Sequence, residues 1–166
     1  IGFLASDDLE GRASGTFGDE MAKDYIKKFF ENASLPTKRT VEIQEHYVPA
    51  ERKWNLKPED MTVKTYNIIA TLPGNDPILK DEYVVIGGHY DGGAATAAQL
   101  KKLSGDKIYN NADDNASGTA TVLELFEKYA STNSNKRTLV FILFGGEELG
   151  LLGSKYYVEN PTINLN

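Results

Sequence analysis

Two short segments of the sequence place ionisable side chains directly after a pair of glycines. In "GGHYDGG", His89 and Asp91 are two residues apart, so their side chains leave the same face if an extended strand persists. Such a carboxylate can accept one ring proton of the imidazole while the other ring nitrogen binds a metal ion. The alternative is a histidine that is simply satisfied by a neighbouring acid at a strand end. In "FGGEELG", Glu147 and Glu148 are adjacent, and neighbouring carboxylates repel each other unless a cation lies close by.

A third acidic segment, "NNADDNASG", contains Asp113 and Asp114. A single acid before a helix is usually a cap or an offset to the helix dipole, and this interpretation stays open for Asp113 and Asn115. If all three segments meet, their five carboxylates require divalent cations or strongly raised pKa values. Oxygen ligands with one imidazole suit a divalent metal with open coordination positions. A two-metal site also needs a bridging carboxylate, for which Asp114 is the natural candidate.

The paired glutamates point in different directions, which allows them to have different roles. One can bind a metal ion while the other faces the water bound to it. On zinc such a water has a pKa near ~7, and a glutamate beside it can take its proton and pass it to a leaving amine. The three segments together therefore predict metal-assisted hydrolysis.

Other kinds of site match the sequence less well. "DDNASGTATVLE" fits the calcium-loop pattern, but the glycine and paired asparagines before it make a poor entering helix. Neither phosphate-binding glycine pattern occurs, and no GxSxG is present for a serine nucleophile. His46, the second of the two histidines, lies on the polar face of a predicted edge strand and is interpreted as an ordinary strand residue.

The elements that must position these residues alternate between strands and helices. Residues 40–48 alternate, with Val41, Ile43 and Tyr47 on one face, and predict a half-exposed edge strand. A second strand, "VKTYNIIATL", stops at a Pro-Gly turn. The runs "EYVVIGG" and "TLVFILF" are continuously apolar, which is typical of central parallel strands covered on both faces.

Three segments have helical periodicity. Residues 19–33 carry apolar side chains at helical spacing, and "LGLLGSKYYVEN" predicts a helix that ends before Pro161. Between the two apolar runs, "NASGTATVLELFEKYAST" predicts the crossover helix of a strand-helix-strand unit, with Val122, Leu123, Phe126 and Ala130 on one face. The pattern predicts an α/β fold with a mostly parallel sheet. Because ligands of such sheets bind beyond the carboxyl ends of the strands, the three acidic segments are expected to meet there.

Composition excludes several classes of protein. A chain of 166 residues with 40% hydrophobic content fits one globular domain, and the net charge of −6 with scattered basic residues argues against nucleic-acid or anionic-membrane binding. No run approaches the ~18 to 20 apolar residues of a membrane span. The absence of cysteine excludes disulfides and thiolate ligands.

In their order, "GGHYDGG", "YNNADDNASGTA" and "FGGEELGLLGSKYYVEN" resemble the co-catalytic two-zinc aminopeptidases, whose family also includes glutamate carboxypeptidases and glutaminyl cyclases. The segments "LASDDLEGRASGTFGDEMAKDYI" and "NIIATLPGND" are similar to that family as well. The resemblance therefore extends over nearly the whole chain and identifies residues 1–166 as the N-terminal portion of a single zinc-peptidase catalytic domain.

The resemblance implies a role for each site residue. His89 would bind one zinc ion, Glu148 the other, and Asp114 both, with Asp91 supporting His89 and Glu147 acting as general base and acid. A hydroxide bridging the two ions would attack the N-terminal peptide bond of a peptide substrate. The implied fold is a three-layer α/β/α sandwich with a mixed, mainly parallel sheet. An extracytoplasmic location, whether secreted, periplasmic or surface-anchored, is also implied by the resemblance alone.

The sequence departs from the family in two respects. Asn111 stands where the family usually has glycine, which we interpret as a minor loop change. The family also has a further aspartate and a second histidine as zinc ligands, and the chain stops at Asn166 before they are expected. A catalytic zinc normally keeps three protein ligands. We therefore expect a domain truncated at its C-terminal side that binds zinc weakly, is inactive alone and self-associates through an uncovered sheet edge.

Some alternatives remain open from the sequence. Glutaminyl cyclase or carboxypeptidase chemistry would use the same metal ligands, and a non-catalytic binding module could retain the fold. Clustered acids are costly to keep without a catalytic role, which speaks against such a module. In "LEGRASGT", Arg12 and Glu10 form either a salt-bridged wall of the cleft or part of an ordinary loop.

Overall fold

A four-stranded sheet forms the centre of the molecule. The computed structural model describes residues 1–32, 34–49, 62–93 and 108–165. The strands are Thr40–Pro49 (β1), Thr62–Leu72 (β2), Tyr83–His89 (β3) and Thr138–Phe144 (β4), and the helices are Phe17–Phe30 (α1), Ser117–Thr132 (α2) and Leu152–Glu159 (α3). The strands lie in the order β1-β2-β4-β3.

Helices cover both faces of this sheet. On one face α1 and α2 form the larger core, where Phe126 of α2 lies 4.7 Å from Phe30 and 5.5 Å from Phe141 between ring centroids. On the other face Tyr157 of α3 packs against a smaller cluster made by Ile69, Val140 and Ile142. The predicted face of α2, including Phe126, is buried. This arrangement confirms the three-layer α/β/α sandwich.

The sheet is mixed, as predicted, but it is not mainly parallel in the part of the chain that the structure describes. β1 pairs antiparallel with β2, and β2 pairs antiparallel with β4. Among the described strands, only β3 and β4 run parallel, and these are the two strands joined by the crossover helix α2. The prediction of parallel strands is therefore correct for this pair.

The two continuously apolar strands differ in their positions. β4 lies between β2 and β3, and all its residues except Phe144 are buried. β3 is the outermost described strand on its side of the sheet, and Tyr83, Val84 and Val85 are 44%, 40% and 47% exposed. A central position was therefore predicted correctly for β4 but is wrong for β3 among the described strands.

β1 is an edge strand, as predicted, but its buried face was assigned incorrectly. His46 is 3% exposed and Tyr47 is 67% exposed. The reason is that helices cover the two faces of β1 at opposite ends: Val41 and Ile43 contact the α1–α2 core, whereas the His46 ring stacks on Tyr156 of α3 at 5.1 Å. Burial lowers the pKa of His46.

The helices begin and end close to their predicted limits. α1 begins two residues before the predicted Asp19, because the Thr16 hydroxyl accepts a hydrogen bond from the N–H of Asp19 and caps the helix. Ala33, at its predicted end, lies outside the described residues. α3 ends at Glu159, before Pro161. Among the helices that the structure describes, none is long and apolar enough to cross a membrane.

Candidate active site

Both glycine-pair segments leave the sheet at the same edge. His89, the last residue of β3, is the register partner of Phe144, the last residue of β4. A single turn at Ala112–Ala116 leads into α2 and brings Asp114 to this edge. The structure therefore brings together the three acidic segments, as the sequence predicted.

Side chains from all three segments meet at His89. Its Nε2 atom lies 3.1 Å from Asp114 Oδ1 and 3.8 Å from Glu147 Oε2. The N–H of Glu148 donates to Asp91 Oδ2, and burial and then the charges of Asp114 and Asp91 raise the pKa of the Glu148 carboxyl group. His89 is half-buried and Asp114 is exposed, so the cluster opens to solvent on the Asp114 side.

Asp91 is the fully buried carboxylate of this cluster. It accepts hydrogen bonds from the backbone N–H groups of Glu147 at 3.2 Å and Glu148 at 3.3 Å, and from the Ser14 hydroxyl at 3.2 Å. The His89 Nδ1 atom lies 3.1 Å from the Asp91 carbonyl oxygen and 3.5 Å from Oδ1. The predicted contact with the imidazole is therefore present, and Asp91 also orients the turn that carries both glutamates.

The carboxylates stabilise positive charge on the imidazole. Burial by itself lowers the pKa of His89, but the hydrogen bond and charge of Asp91 and the charge of Glu147 raise this pKa to about 9. A cation at this point is favoured because it offsets the repulsion among the acids.

Two glycines allow the chain to turn sharply after β4. Gly146 has φ +76°, a backbone conformation that favours glycine. A Cβ atom on Gly145 would lie 2.4 Å from Thr65 Oγ1 and 2.7 Å from the carbonyl oxygen of Tyr66. Both positions after β4 therefore require glycine, one for its backbone conformation and one for lack of space.

The alternatives for the "DDNASG" segment are now distinguishable. Asn115 Oδ1 accepts the N–H of Gly118 at 2.9 Å, so Asn115 has the capping role that the sequence left open. Asp113 is exposed. The calcium-loop pattern would end at Glu124, but this residue is exposed in the middle of the continuous helix α2, which excludes a calcium loop.

Sequence reasoning did not find the residues behind the cluster. The sequence left a salt-bridged wall and an ordinary loop open for Arg12 and Glu10. Among the described residues the wall does not form, since Arg12 is fully buried and donates there to backbone carbonyl groups, while Glu10 is exposed. The buried Tyr90 hydroxyl donates to Asp19 Oδ1 at 2.5 Å. Only the unusual "LEGRASGT" segment hinted at these contacts, and no spacing rule connects it with Tyr90.

Asn111 is more than a minor loop change. Its φ is +50°, in the left-handed region where glycine is usual, which asparagine also tolerates. Its side-chain Nδ2 lies within hydrogen-bond distance of the carbonyl oxygens of Gly11 at 3.2 Å, Gly93 at 3.1 Å and Tyr109 at 2.9 Å. The side chain therefore joins three loops at the site.

The donor types at the site fit zinc. The Nδ1 atom of His89 lies beside the carbonyl oxygen of Asp91, and its Nε2 atom faces Asp114. In histidines that bind metal ions, one ring nitrogen binds the metal and the other is held in the same way by a protein oxygen. Within residues 1–32, 34–49, 62–93 and 108–165, no group of three or more histidine, cysteine or acidic side chains is arranged to hold a metal ion. His89, Asp114 and Glu148 thus remain predicted ligands.

Comparison with known proteins identifies the family. The model of peptidase family M28 matches residues 67–166. The chain belongs to peptidase family M28. The chain is 39% identical over 160 residues to the "Leupeptin-inactivating enzyme 1" of Streptomyces exfoliatus. The matched region covers 95% of the chain and 29% of the Streptomyces enzyme. A "Probable zinc metalloprotease" of Pyricularia oryzae is 29% identical over 169 residues, covering 99% of this chain and 31% of the relative.

Solved structures show the same fold. The glutaminyl cyclase of Fimbriiglobus ruber superposes with a TM-score of 0.72 at 22% identity, covering 95% of the M28 chain and 51% of the cyclase. The aminopeptidase of Aneurinibacillus sp. strain AM-1 gives a TM-score of 0.63 at 14% identity, covering 96% of the M28 chain and 65% of that protein. The chain spans about a third of the length of the first curated relatives that it matches.

Proposed function

We propose that this M28 chain is part of a zinc-dependent exopeptidase that removes N-terminal residues from peptides. The observation that carries the proposal is the contact of His89 with Asp114 and Glu147, one residue from each of three separate segments. Relatives named as a zinc metalloprotease and as a leupeptin-inactivating enzyme support hydrolysis of peptide-like substrates.

The site residues have separate roles in this proposal. His89 and Asp114 would hold one zinc ion, and Glu148 with Asp114 a second. Zinc at such a site polarises the scissile carbonyl group and increases the acidity of the attacking water. Glu147 accepts the proton of this water at a carboxylate oxygen and donates it to the leaving amine. Asp91 accepts the backbone N–H of Glu147, which holds Glu147 in place, and its carbonyl oxygen orients the ring of His89.

We further propose that residues 1–166 alone bind zinc weakly and hydrolyse no peptide. Each proposed ion has only two side-chain ligands from this chain, His89 with Asp114 and Glu148 with Asp114, whereas a catalytic zinc normally has three. The exposed apolar residues of β3 support a second proposal, that this polypeptide self-associates along that strand.

The test uses the full-length protein and three substrates. An amino-acid anilide with a free amine should be hydrolysed, its N-acetylated form should not, and chelation should abolish turnover until zinc is restored. Cyclisation of an N-terminal glutaminyl peptide would instead indicate a glutaminyl cyclase. Cleavage that requires a free C-terminal carboxylate would indicate a carboxypeptidase. Turnover that survives chelation, or no binding of either zinc or peptide, would refute a zinc exopeptidase.

A matched pair of variants tests the general base. Glu147→Gln should lower kcat about 10²- to 10⁴-fold because the amide cannot accept the proton. Glu82→Gln, an exposed glutamate paired with Arg137 at the opposite end of β3, should keep normal turnover. Retained turnover in Glu147→Gln would exclude Glu147 as the base.

A further inference from the structure

A buried arginine lies directly behind the candidate active site. Arg12 is fully buried, and its Nε donates to the carbonyl oxygen of Tyr90 at 2.9 Å. Its Nη1 donates to the carbonyl oxygens of Asn110 at 2.9 Å and of Leu4, and its Nη2 donates to that of Asn111 at 2.9 Å. A guanidinium presents five N–H donors in a fixed plane, so it can bind carbonyl groups from several loops at once.

The carbonyl groups that Arg12 binds belong to the segments that carry the site. Tyr90 stands between His89 and Asp91, and Asn111 precedes Asp114 by three residues. The carbonyl oxygen of Asn111 also accepts the N–H of Ala116, which closes the turn that presents Asp114. Arg12 therefore joins the end of β3 to the turn before α2, the two segments whose side chains meet at His89 Nε2.

The same loop reaches the third segment through its next polar residue. Ser14 donates to Asp91 Oδ2 at 3.2 Å, and Asp91 in turn accepts the N–H groups of Glu147 and Glu148. A backbone hydrogen bond also joins the two loops, since the N–H of Gly92 donates to the carbonyl oxygen of Arg12 at 3.2 Å. Residues 10–15, named here the brace loop, thus contact the His89–Asp91 segment and the segment before α2 directly, and they reach the glutamate segment through Asp91.

Burying a guanidinium without a carboxylate partner is costly. Burial lowers the pKa of Arg12, and the charge of Asp91 opposes this change. A lysine or an apolar side chain would avoid the desolvation of a guanidinium but could not bind several carbonyl groups in one plane. The free-energy cost of burying Arg12 is explained if the site requires the loops that Arg12 binds to keep a fixed geometry.

We propose that the brace loop is a positioning element of the metal site, with Arg12 fixing the backbones that carry His89 and Asp114 and Ser14 fixing Asp91. The proposal rests on the proposed zinc-dependent function. The loop lies outside residues 67–166, which match the family model. Arg12 and Ser14 are called positioning residues because they would act through His89, Asp91 and Asp114, whose backbones or side chains they hold by hydrogen bonds.

The chain contains a matched control for Arg12. Arg39 also donates to four carbonyl groups, those of Phe30, Asn32, Leu35 and Thr37. Phe30 is the last residue of α1 and the other three follow it, and none belongs to a segment of the site. Arg39→Lys therefore removes the same type of hydrogen bonding without touching the candidate active site. Ser154→Ala, which removes a bond to the carbonyl oxygen of Leu151, is the corresponding control for Ser14.

The experiment compares Arg12→Lys and Ser14→Ala with these controls in the full-length protein. It measures zinc affinity by competition with a chelator, kcat and KM separately, the melting temperature, and the ring signals of His89 in two-dimensional NMR spectra of the metal-free protein. We expect Arg12→Lys to weaken zinc binding about tenfold or more and to shift the His89 signals. Ser14→Ala should give the same changes in smaller size.

The controls separate positioning from stability. Arg39→Lys should lower the melting temperature while zinc affinity and the His89 signals stay unchanged. If both brace-loop variants behave like their controls, the positioning role is refuted. If Arg12→Lys does not fold, Ser14→Ala decides. If the unmodified protein binds no zinc, the proposed function fails, and the His89 signals alone then decide whether the brace loop positions this residue.

Discussion

At the scale of single residues, Asp91 links the segments of the site to one another. Its carboxylate accepts hydrogen bonds from two successive backbone N–H groups and one hydroxyl, and its backbone carbonyl lies beside His89 Nδ1. One buried residue thus contacts both the imidazole at the end of β3 and the backbone of the glutamates after β4. Charged acceptors form stronger hydrogen bonds than neutral ones, so a carboxylate can hold the turn with the two glutamates more firmly than an amide.

We predict that Asp91→Asn impairs the site although it preserves the size of the side chain. An amide offers one oxygen, so its NH₂ group would face a backbone N–H of Glu147 or Glu148. Zinc affinity and kcat/KM should each fall about 10- to 100-fold. The control is Asp76→Asn, since Asp76 also accepts two backbone N–H groups, those of Ile78 and Leu79, at a distance from the site. Equal kinetic effects in the two variants would contradict the prediction.

Asp19 predicts a measurable pH dependence of stability. Burial raises the pKa of Asp19 from 3.8 to about 6, although hydrogen bonds from Tyr90 and Gly15 oppose this, and the charge of Asp91 adds to it. Because the folded state holds this proton more tightly than the unfolded state, the contribution of Asp19 to stability is fully present below about pH 4 and is lost as the pH rises through about 6.

The variant Asp19→Asn should remove this pH dependence. The free energy of unfolding, measured by urea titration, should decrease between pH 4 and pH 7 in the unmodified chain, and this decrease should be about 2 kcal/mol smaller in the variant. Asp24→Asn, on the exposed side of the same helix, is the control and should leave the slope unchanged. An unchanged slope in Asp19→Asn would show that the carboxyl group titrates normally.

At the scale of elements, predictions from the sequence were correct where an element packs against a single neighbouring layer. α2 was predicted from its apolar stripe, because Phe126 and its neighbours have only one core to face. The convergence of His89 and Glu147 followed from the parallel pairing of β3 and β4. The face of β1 was assigned incorrectly because two helical layers cover this strand at different ends, and His46 is buried by α3, which is distant in sequence. The contacts of Arg12 were missed because they join loops without any periodic pattern.

The turn between β4 and α3 gives a prediction at this scale. Gly145→Ala should destabilise the fold by about 1–3 kcal/mol, since the new Cβ would collide with the backbone at Tyr66 as well as with Thr65. The displaced turn carries Glu147, so kcat/KM should also fall. Gly2→Ala, where a Cβ meets nothing within 4 Å, should change neither the melting temperature nor the kinetics. Normal stability of Gly145→Ala would mean that the turn tolerates a side chain.

At the scale of the whole molecule, the two outer strands of the described sheet differ in how much of their surface is exposed to solvent. On one side β1 is partly covered by helices on both faces, whereas on the other side β3 presents Tyr83, Val84 and Val85 with 40% to 47% of each residue exposed. Exposed apolar strands at a sheet edge readily pair with another strand. The exposed side chains of β3, the outermost described strand on this side, are the reason for proposing that a strand from a second copy is added here.

We predict that residues 1–166 form dimers or larger species whose dissociation is concentration-dependent in sedimentation velocity. Val85→Lys should shift the population towards the monomer, because a charge on an edge strand opposes the approach of a second strand. Val158→Lys makes the same substitution at a 65% exposed valine on α3 and should leave the association unchanged. If the unmodified polypeptide is monomeric at all concentrations, or if both variants dissociate equally, association does not occur through β3.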